Sequence, residues 1–224
     1  MQLIEARIRM LSEQIGLERP VCVEYSQNML NPAYICQKNG QITLYLNEKK
    51  LRSVGIPITY ILLHELFHAR QIENGYPVVA SAQPDRRISD IFNSVMDCCV
   101  TADMCENGFT DAAYSVFAER IGELSVCSAE VAADIGMLHR TAQFLAEAQL
   151  WFGAAHSDLR KILKEKSESL LEDAEAYSRY YTDMIGRSDR CSAASEHLCV
   201  LLERAGYRVM QIGNYLIAEG ENTL

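Results

Sequence analysis

Apolar positions along the first part of the chain follow two different periodicities, and each predicts a different kind of element. Residues 2–15 carry apolar side chains every three or four positions, which is the spacing of one helix face. Residues 21–25, 33–37 and 41–47 are short, apolar runs rich in β-branched and aromatic residues, and Asn39-Gly40 between the last two is a strong hairpin signal. We therefore expect one helix followed by a small antiparallel sheet.

Helical periodicity begins again at Pro57 and continues through most of the remaining chain. The first of these helices should run from Pro57 to about Glu73, because Asn74-Gly75 is a helix-stop signal. A second helix should start at Pro84 and end at about Asn107. Further helices are predicted at residues 111–124, 128–152, 156–185 and 192–205.

The C-terminal stretch YRVMQIGNYLIAE fits either a last helix or a short strand. Taken together, the elements predict an α+β fold in which a small antiparallel sheet packs on helices and a largely helical half follows. We expect a compact core at residues 1–107 and a helical region at residues 108–224, packed on the core as one unit. No Pro-, Gly- or Ser-rich linker marks a boundary between them.

Composition and charge exclude several classes of partner. The formal net charge is -9 and no basic patch stands out, so the sequence does not predict binding to nucleic acid through its phosphates. The longest apolar run, IPITYILL, is far shorter than the roughly 18 residues that span a bilayer. The first twenty residues also lack the unbroken apolar core of a secretory signal. We expect a soluble protein without a membrane partner.

The eight cysteines form no C-x-x-C pair, and most of them lie inside apolar patterns. Such cysteines are typical of free, buried thiols in a reducing compartment. The expected location is therefore the cytoplasm.

One predicted helix carries polar residues inside an apolar run, YILLHELFHARQIENGY at residues 60–76. His64 and His68 are four positions apart, so their imidazoles lie on one helix face and can share one tetrahedral cation. Glu65 is one step round the helix and can reach a water bound to that cation. This H-E-x-x-H arrangement holds zinc and uses the glutamate as general base. The alternative is that all three are ordinary core or surface residues, but a buried glutamate without a partner is costly.

HELFH on a helix that follows an edge strand resembles the zincin clan of zinc metallopeptidases, over roughly residues 21–105. The metzincin form of the motif does not apply, because Gln71 and Asn74 stand where that form has Gly and His. The pair Asn93 and Asp97 on the next predicted helix is similar to bacterial and phage zincin-like peptidases with an acidic third ligand. The resemblance implies a zincin-like core and peptidase activity.

A catalytic zinc typically takes three protein ligands, so the third must come from elsewhere in the chain. Asp90 and Asp97 are two helical turns apart, about 10 Å along the axis, so only one of them can bind the same ion. Asp90 near a helix start is explained by the helix dipole. Asp97 lies mid-helix between apolar residues, where a metal explains an acid better than solvent or an ion pair does. Asn93 could hydrogen-bond a ligand, or it could be a polar surface residue.

The later helices offer other candidates. His139, His156 and His197 could each supply a ligand or stabilise an oxyanion, although each alone is more often an ordinary histidine. Tyr180 and Tyr181 could assist a tetrahedral intermediate, but they also fit a packing stripe.

These observations predict a cytoplasmic zinc peptidase that hydrolyses a peptide or protein substrate. His64, His68 and Asp97 would hold Zn²⁺, and Glu65 would be the general base. A substrate could pair with the strand at residues 41–47, provided that this strand is a sheet edge. The alternative is a non-catalytic binding or regulatory protein that keeps the zincin fold and engages a partner through its helical half.

Overall fold

The computed structural model describes residues 2–81 and 85–220. In this part of the chain the fold is mixed α+β, with ten helices and two three-stranded sheets, so the predicted fold class is confirmed. The helices are α1 (Gln2–Gln14), α2 (Glu48–Ser53), α3 (Ile58–Glu73), α4 (Arg86–Glu106), α5 (Thr110–Val126), α6 (Ala129–Ala132), α7 (Ile135–Trp151), α8 (Ala154–Lys166), α9 (Glu168–Gly186) and α10 (Arg190–Arg204). The strands are β1 (Val21–Tyr25), β2 (Ala33–Lys38), β3 (Gln41–Leu46), β4 (Val78–Ser81), β5 (Tyr207–Ile212) and β6 (Tyr215–Gly220).

The chain forms two compact units. The first comprises Met1–Gly75 and Asp103–Val116, and the second comprises Tyr76–Ala102 and Phe117–Leu224. The predicted division into a core at residues 1–107 and a helical region at residues 108–224 stays a prediction.

The sheet of the first unit has the strand order β1-β3-β2. β2 and β3 form the predicted hairpin, with Lys38 paired to Gln41. The two turn residues, Asn39 and Gly40, have φ values of 50° and 80°, as a type I′ turn requires. β1 pairs with β3 in parallel, so the sheet is mixed rather than wholly antiparallel. The sequence pattern predicts that β1 is a strand, but it does not predict which strand β1 pairs with.

β3 is the central strand of this sheet, with β1 on one side and β2 on the other. The sequence expectation that this strand is an edge, open to a substrate, is therefore wrong. Its alternating burial is interrupted by three successive buried residues, Ile42, Thr43 and Leu44, as suits a strand covered on both sides. The edge strands of the sheet are β1 and β2.

The helix α3 confirms the prediction for residues 57 to 73. Pro57 is its N-cap, and Gly75 follows its end with φ of 70°. Two successive turns of α3 carry apolar side chains that are almost completely buried: Leu62, Leu63, Leu66 and Phe67. α3 packs on β2 and on α1. Its apolar faces, which flank the polar residues, are therefore buried within the first unit.

The second unit is mostly helical, and two of the helices predicted there are each divided into two. The predicted helix 128–152 is divided into α6 and α7 because the Asp134 side chain accepts a hydrogen bond from the Gly136 amide and caps α7. The predicted helix 156–185 is divided into α8 and α9 at Ser167, whose backbone is extended. The predicted start of α4 at Pro84 lies outside the described residues.

A second sheet in this unit has the order β4-β6-β5. The ambiguous C-terminal stretch is a hairpin of β5 and β6, in which Ile212 pairs with Tyr215 across a turn at Gly213 and Asn214. β4 was not predicted from the sequence, because four residues are too few to show a periodicity and their partner lies far along the chain. α10 packs on β5 and completes this layer.

All eight cysteines are free thiols, of which Cys98 and Cys99 are buried and the others are half-buried. Within the described ranges, no helix combines the length and the apolar character that a membrane span requires.

Candidate metal centre

α3 brings the two predicted imidazoles together. His64 and His68 lie one turn apart on the same helix, and their Nε2 atoms are 3.2 Å apart. The rings meet edge to face, with centroids 4.7 Å apart. Tyr60, one turn earlier, stacks on His64 at 5.6 Å, so three rings follow one stripe of α3. Both histidines are half-buried.

Gln71 orients His68. The Oε1 atom of Gln71 lies 2.8 Å from Nδ1 of His68. Because an amide oxygen only accepts, Nδ1 carries the hydrogen and Nε2 keeps its lone pair for a ligand bond. Gln71 is 2% exposed, so this contact is shielded from water. Gln71 was not predicted as a site residue, although its position three residues after His68 on the same helix face was a usable signal.

We expect Gln71→Leu to weaken metal binding by about 10 to 100-fold, which is the typical cost of losing a partner that orients a metal-bound histidine. Leucine is close in size, so the change removes the acceptor and keeps the packing. Competition with a metal chelator measures the affinity, and Gln149→Leu, at an exposed position of α7 outside the group of potential ligands, is the control for loss of a glutamine. Equal affinity in Gln71→Leu and the wild type would contradict the role given to Gln71.

Glu65 lies on α3 beside the two histidines and is half-buried. Tyr34 of β2 interacts electrostatically with Glu65. Desolvation raises the pKa of Tyr34, with further contributions from the Cys36 thiol and the Glu65 carboxylate. The edge strand β2 therefore places a phenol in the field of Glu65. Tyr34 was not predicted as a site residue from the sequence, because it lies thirty positions from the motif.

His64, His68 and Asp97 form a group that could hold a metal ion. Each offers one ligand atom, and these atoms all lie within 4.8 Å of one another. In the described part of the chain this is the one group of three or more potential ligands. The three residues are those that the sequence predicted as ligands.

Asp90, the competing acid, has other contacts. Its carboxylate forms an ion pair with Arg86 at 3.3 Å, one turn earlier on α4. It also packs against Gly136 of α7 so closely that a Cβ atom there would lie 2.3 Å from Oδ2. These contacts support the expectation that Asp90 has a structural role near the start of α4.

Asp97 lies on α4 near two buried polar residues of α7, Gln143 and Glu147. Asp90 contacts Gly136, and Thr101 hydrogen-bonds Glu147. The two residues of each pair are separated by the same number of positions, so α4 and α7 run parallel. Gln143, one turn before Glu147, therefore lies at the level of Asp97. Its Nε2 donates to Glu147 Oε1 at 2.8 Å. Burial, reinforced by Asp97, raises the pKa of Glu147 to about 8 despite the hydrogen bonds from Gln143 and Thr101.

Glu147 should make the stability of the metal-free protein fall as pH rises. Its carboxyl keeps a proton to about pH 8 when folded, against an ordinary pKa of 4.5 when exposed. Below pH 4.5 the carboxyl is protonated in both states and does not lower the stability. Between pH 4.5 and the folded pKa, the free energy of unfolding falls by about 1.4 kcal/mol per pH unit. Glu147→Gln cannot ionise, so its free energy of unfolding relative to the wild type should rise across this window.

Urea denaturation with a chelator at several pH values between 5 and 8 measures this difference. Glu203→Gln, at an exposed position of α10, is the matched control and should run parallel to the wild type. Parallel curves for Glu147→Gln and the wild type would contradict the raised pKa.

The other sequence candidates lie in different surroundings. His139 is 0% exposed and its Nδ1 lies 3.0 Å from the hydroxyl of Tyr181, which is itself buried in the same core. Burial lowers the pKa of His139 to about 4, so its ring is neutral. Asn93 is exposed on α4, which favours a polar surface residue. Neither His156 nor His197 joins a group of potential metal ligands within the described residues.

No protein-family model, curated protein or solved structure matches this chain.

Proposed function

We propose that the protein is a zinc-dependent hydrolase of peptide or amide bonds, of the zincin-like type that the H-E-x-x-H motif resembles. The observation that carries the proposal is the distance between the two Nε2 atoms. Two nitrogens about 2.0–2.1 Å from one zinc ion at a tetrahedral angle are separated by roughly 3.3–3.4 Å. The observed 3.2 Å fits that geometry without rearrangement of α3.

The donor set also favours zinc. Two imidazoles and one carboxylate are the ligands of many catalytic zinc sites, which keep a fourth position open. Ca²⁺ and Mg²⁺ prefer sets made only of oxygen ligands, so a pair of histidines argues against them. His64 and His68 would each bind through Nε2, and Asp97 would supply the carboxylate oxygen.

The chain's own residues would divide the reaction between them. When bound, zinc supplies Lewis acidity that polarises a carbonyl and lowers the pKa of water. Glu65 would accept the proton from the attacking water and deliver it to the leaving amine. Gln71 would hold His68 in the tautomer that leaves Nε2 free, through its contact at 2.8 Å.

The substrate would lie along β2 rather than β3. β2 is an edge of the sheet and packs on α3, so its outer backbone groups can pair with an extended peptide beside the histidines. Tyr34 lies on this strand in the field of Glu65, and its hydroxyl would be the donor for the oxyanion of a tetrahedral intermediate.

Metal analysis combined with an activity screen tests the proposal. Elemental analysis of protein purified without a histidine tag should show one zinc per chain, and a broad peptide library should yield cleavage that a chelator abolishes and zinc restores. Protein that contains no transition metal and takes up no added zinc would contradict the metal site. Stoichiometric zinc with no cleavage of any peptide would instead favour the non-catalytic binding protein.

A further inference from the structure

A cavity that is open to solvent lies between α9 and α10, within the second unit. It has a volume of about 490 Å³, which is within the range of small-molecule sites. The residues that line it are Ala176, Arg179, Tyr180, Asp183, His197 and Arg204. The first four share one face of α9, at positions i, i+3, i+4 and i+7, and the last two are two turns apart on α10.

Neither of the two arginines that line this cavity is in an ion pair within the described part of the chain. The chain has 30 acidic and 21 basic residues, and many exposed arginines and lysines form ion pairs, such as Arg160 with Glu175 at 2.7 Å. Within residues 2–81 and 85–220, by contrast, neither Arg179 nor Arg204 has a carboxylate within ion-pair distance. Two guanidinium groups that form no ion pair with a described residue thus line one concave site of an acidic protein.

Aromatic contacts hold one of these arginines in place. The Arg204 guanidinium lies over the Tyr180 ring, 5.0 Å from its centroid. Tyr180 in turn meets the His197 ring edge to face at 6.0 Å. A guanidinium stacked on an aromatic face keeps its N–H edge available, so Arg204 is oriented to receive an anion with little further loss of side-chain freedom.

Asp183 provides the one negative charge among the lining residues. Its Oδ2 lies 3.3 Å from Nε2 of His197, which is in the middle of α10. Burial lowers the pKa of His197, which keeps this ring neutral at pH 7. The lining therefore carries two positive charges and one negative charge.

We propose that this cavity is a binding site for a small organic oxyanion, a phosphate monoester or a carboxylate. The planar N–H edges of Arg179 and Arg204 match the paired oxygens of either group. The volume exceeds that of an inorganic anion, and Tyr180 with Ala176 supplies an apolar wall for the organic part of the ligand. The site lies within the second unit and is independent of the proposed zinc chemistry.

Phenyl phosphate and benzoate are suitable probes, because they present the two candidate groups on the same ring. NMR titration of the full-length protein, followed through the arginine Nε–Hε signals, should show saturable shifts of Arg179 and Arg204 at millimolar concentration or below. The probe that binds more tightly identifies which oxyanion the site prefers. Failure of both probes to saturate these signals below about 10 mM would overturn the proposal, since such weak binding is worth less than about 3 kcal/mol.

Charge variants locate the site. Arg204→Gln should weaken binding at least tenfold, and Asp183→Asn should strengthen it several-fold because it removes the negative charge that faces the ligand. Matched controls are Arg208→Gln and Asp158→Asn, which change the same charges at exposed positions outside the lining. Equal effects in a cavity variant and its control would show only non-specific attraction and would overturn the site. Circular dichroism of each variant confirms that the fold is retained.

Discussion

Zinc affinity should fall by orders of magnitude in Asp97→Ala, because this change removes one of the three ligand atoms in the group that could hold a metal ion. Asp90→Ala, on the same helix, should cost at most about 10 to 100-fold, as a neighbour that does not touch the ion would. The difference follows from their contacts: Asp90 is accounted for by Arg86 and by its close packing on Gly136. Titration of both variants against a competing zinc chelator measures the two affinities.

These two variants also distinguish the alternative assignments of the third ligand. If Asp90→Ala loses the metal and Asp97→Ala keeps it, the two acids exchange roles. If both variants bind zinc like the wild type, neither acid is the third ligand. A thermal melt of each metal-free variant distinguishes a lost ligand from a lost fold.

Glu65→Gln should lower the rate of peptide hydrolysis by about 10² to 10⁴-fold, the typical contribution of a general base, and should leave zinc bound. Glutamine keeps the size and polarity of the side chain but cannot accept the proton from the attacking water. Glu65 is not one of the potential ligands, so metal content should stay at the wild-type level. Steady-state kinetics on the best library substrate and elemental analysis of the same sample give both numbers.

Glu73→Gln is the matched control for that experiment. Glu73 lies on the same helix, but its carboxylate accepts hydrogen bonds from the backbone amides of Glu18 and Arg19. Its replacement should affect stability and leave the rate per folded molecule unchanged. Wild-type turnover in Glu65→Gln would rule out the proposed role of Glu65, whereas loss of zinc in that variant would show that the residue supports the metal.

Local geometry explains which parts of the fold could be read from the sequence. The spacing of His64 and His68 needs only one helix to place both imidazoles on one face, and α3 does so. The Asn39-Gly40 turn needs only its two residues to join β2 and β3. In both cases the deciding contacts lie within a few residues, so the pattern and the outcome depend on the same short segment.

Predictions failed where the deciding contact lies far along the chain or competes with a periodic pattern. β4 is visible only through its partner β6, more than a hundred residues later. Apolar periodicity alone predicts one helix across Asp134. The Asp134 side chain instead accepts a hydrogen bond from the Gly136 amide, which stabilises the N-terminus of a separate helix, α7. Ser167 similarly interrupts the predicted helix 156–185 with an extended backbone.

The sequence by itself determined the helix that carries His64, Glu65 and His68, because helical periodicity and the stop signal at its end are local properties. Tertiary structure decided which strands are the edges of the sheet, since the central position of β3 follows from its pairing with β1 and β2. It also decided that the buried Glu147 lies near Asp97, whereas the place of Gln71 beside His68 follows from their spacing on one helix. Burial and strand order depend on contacts between distant segments, and no spacing within one segment encodes them.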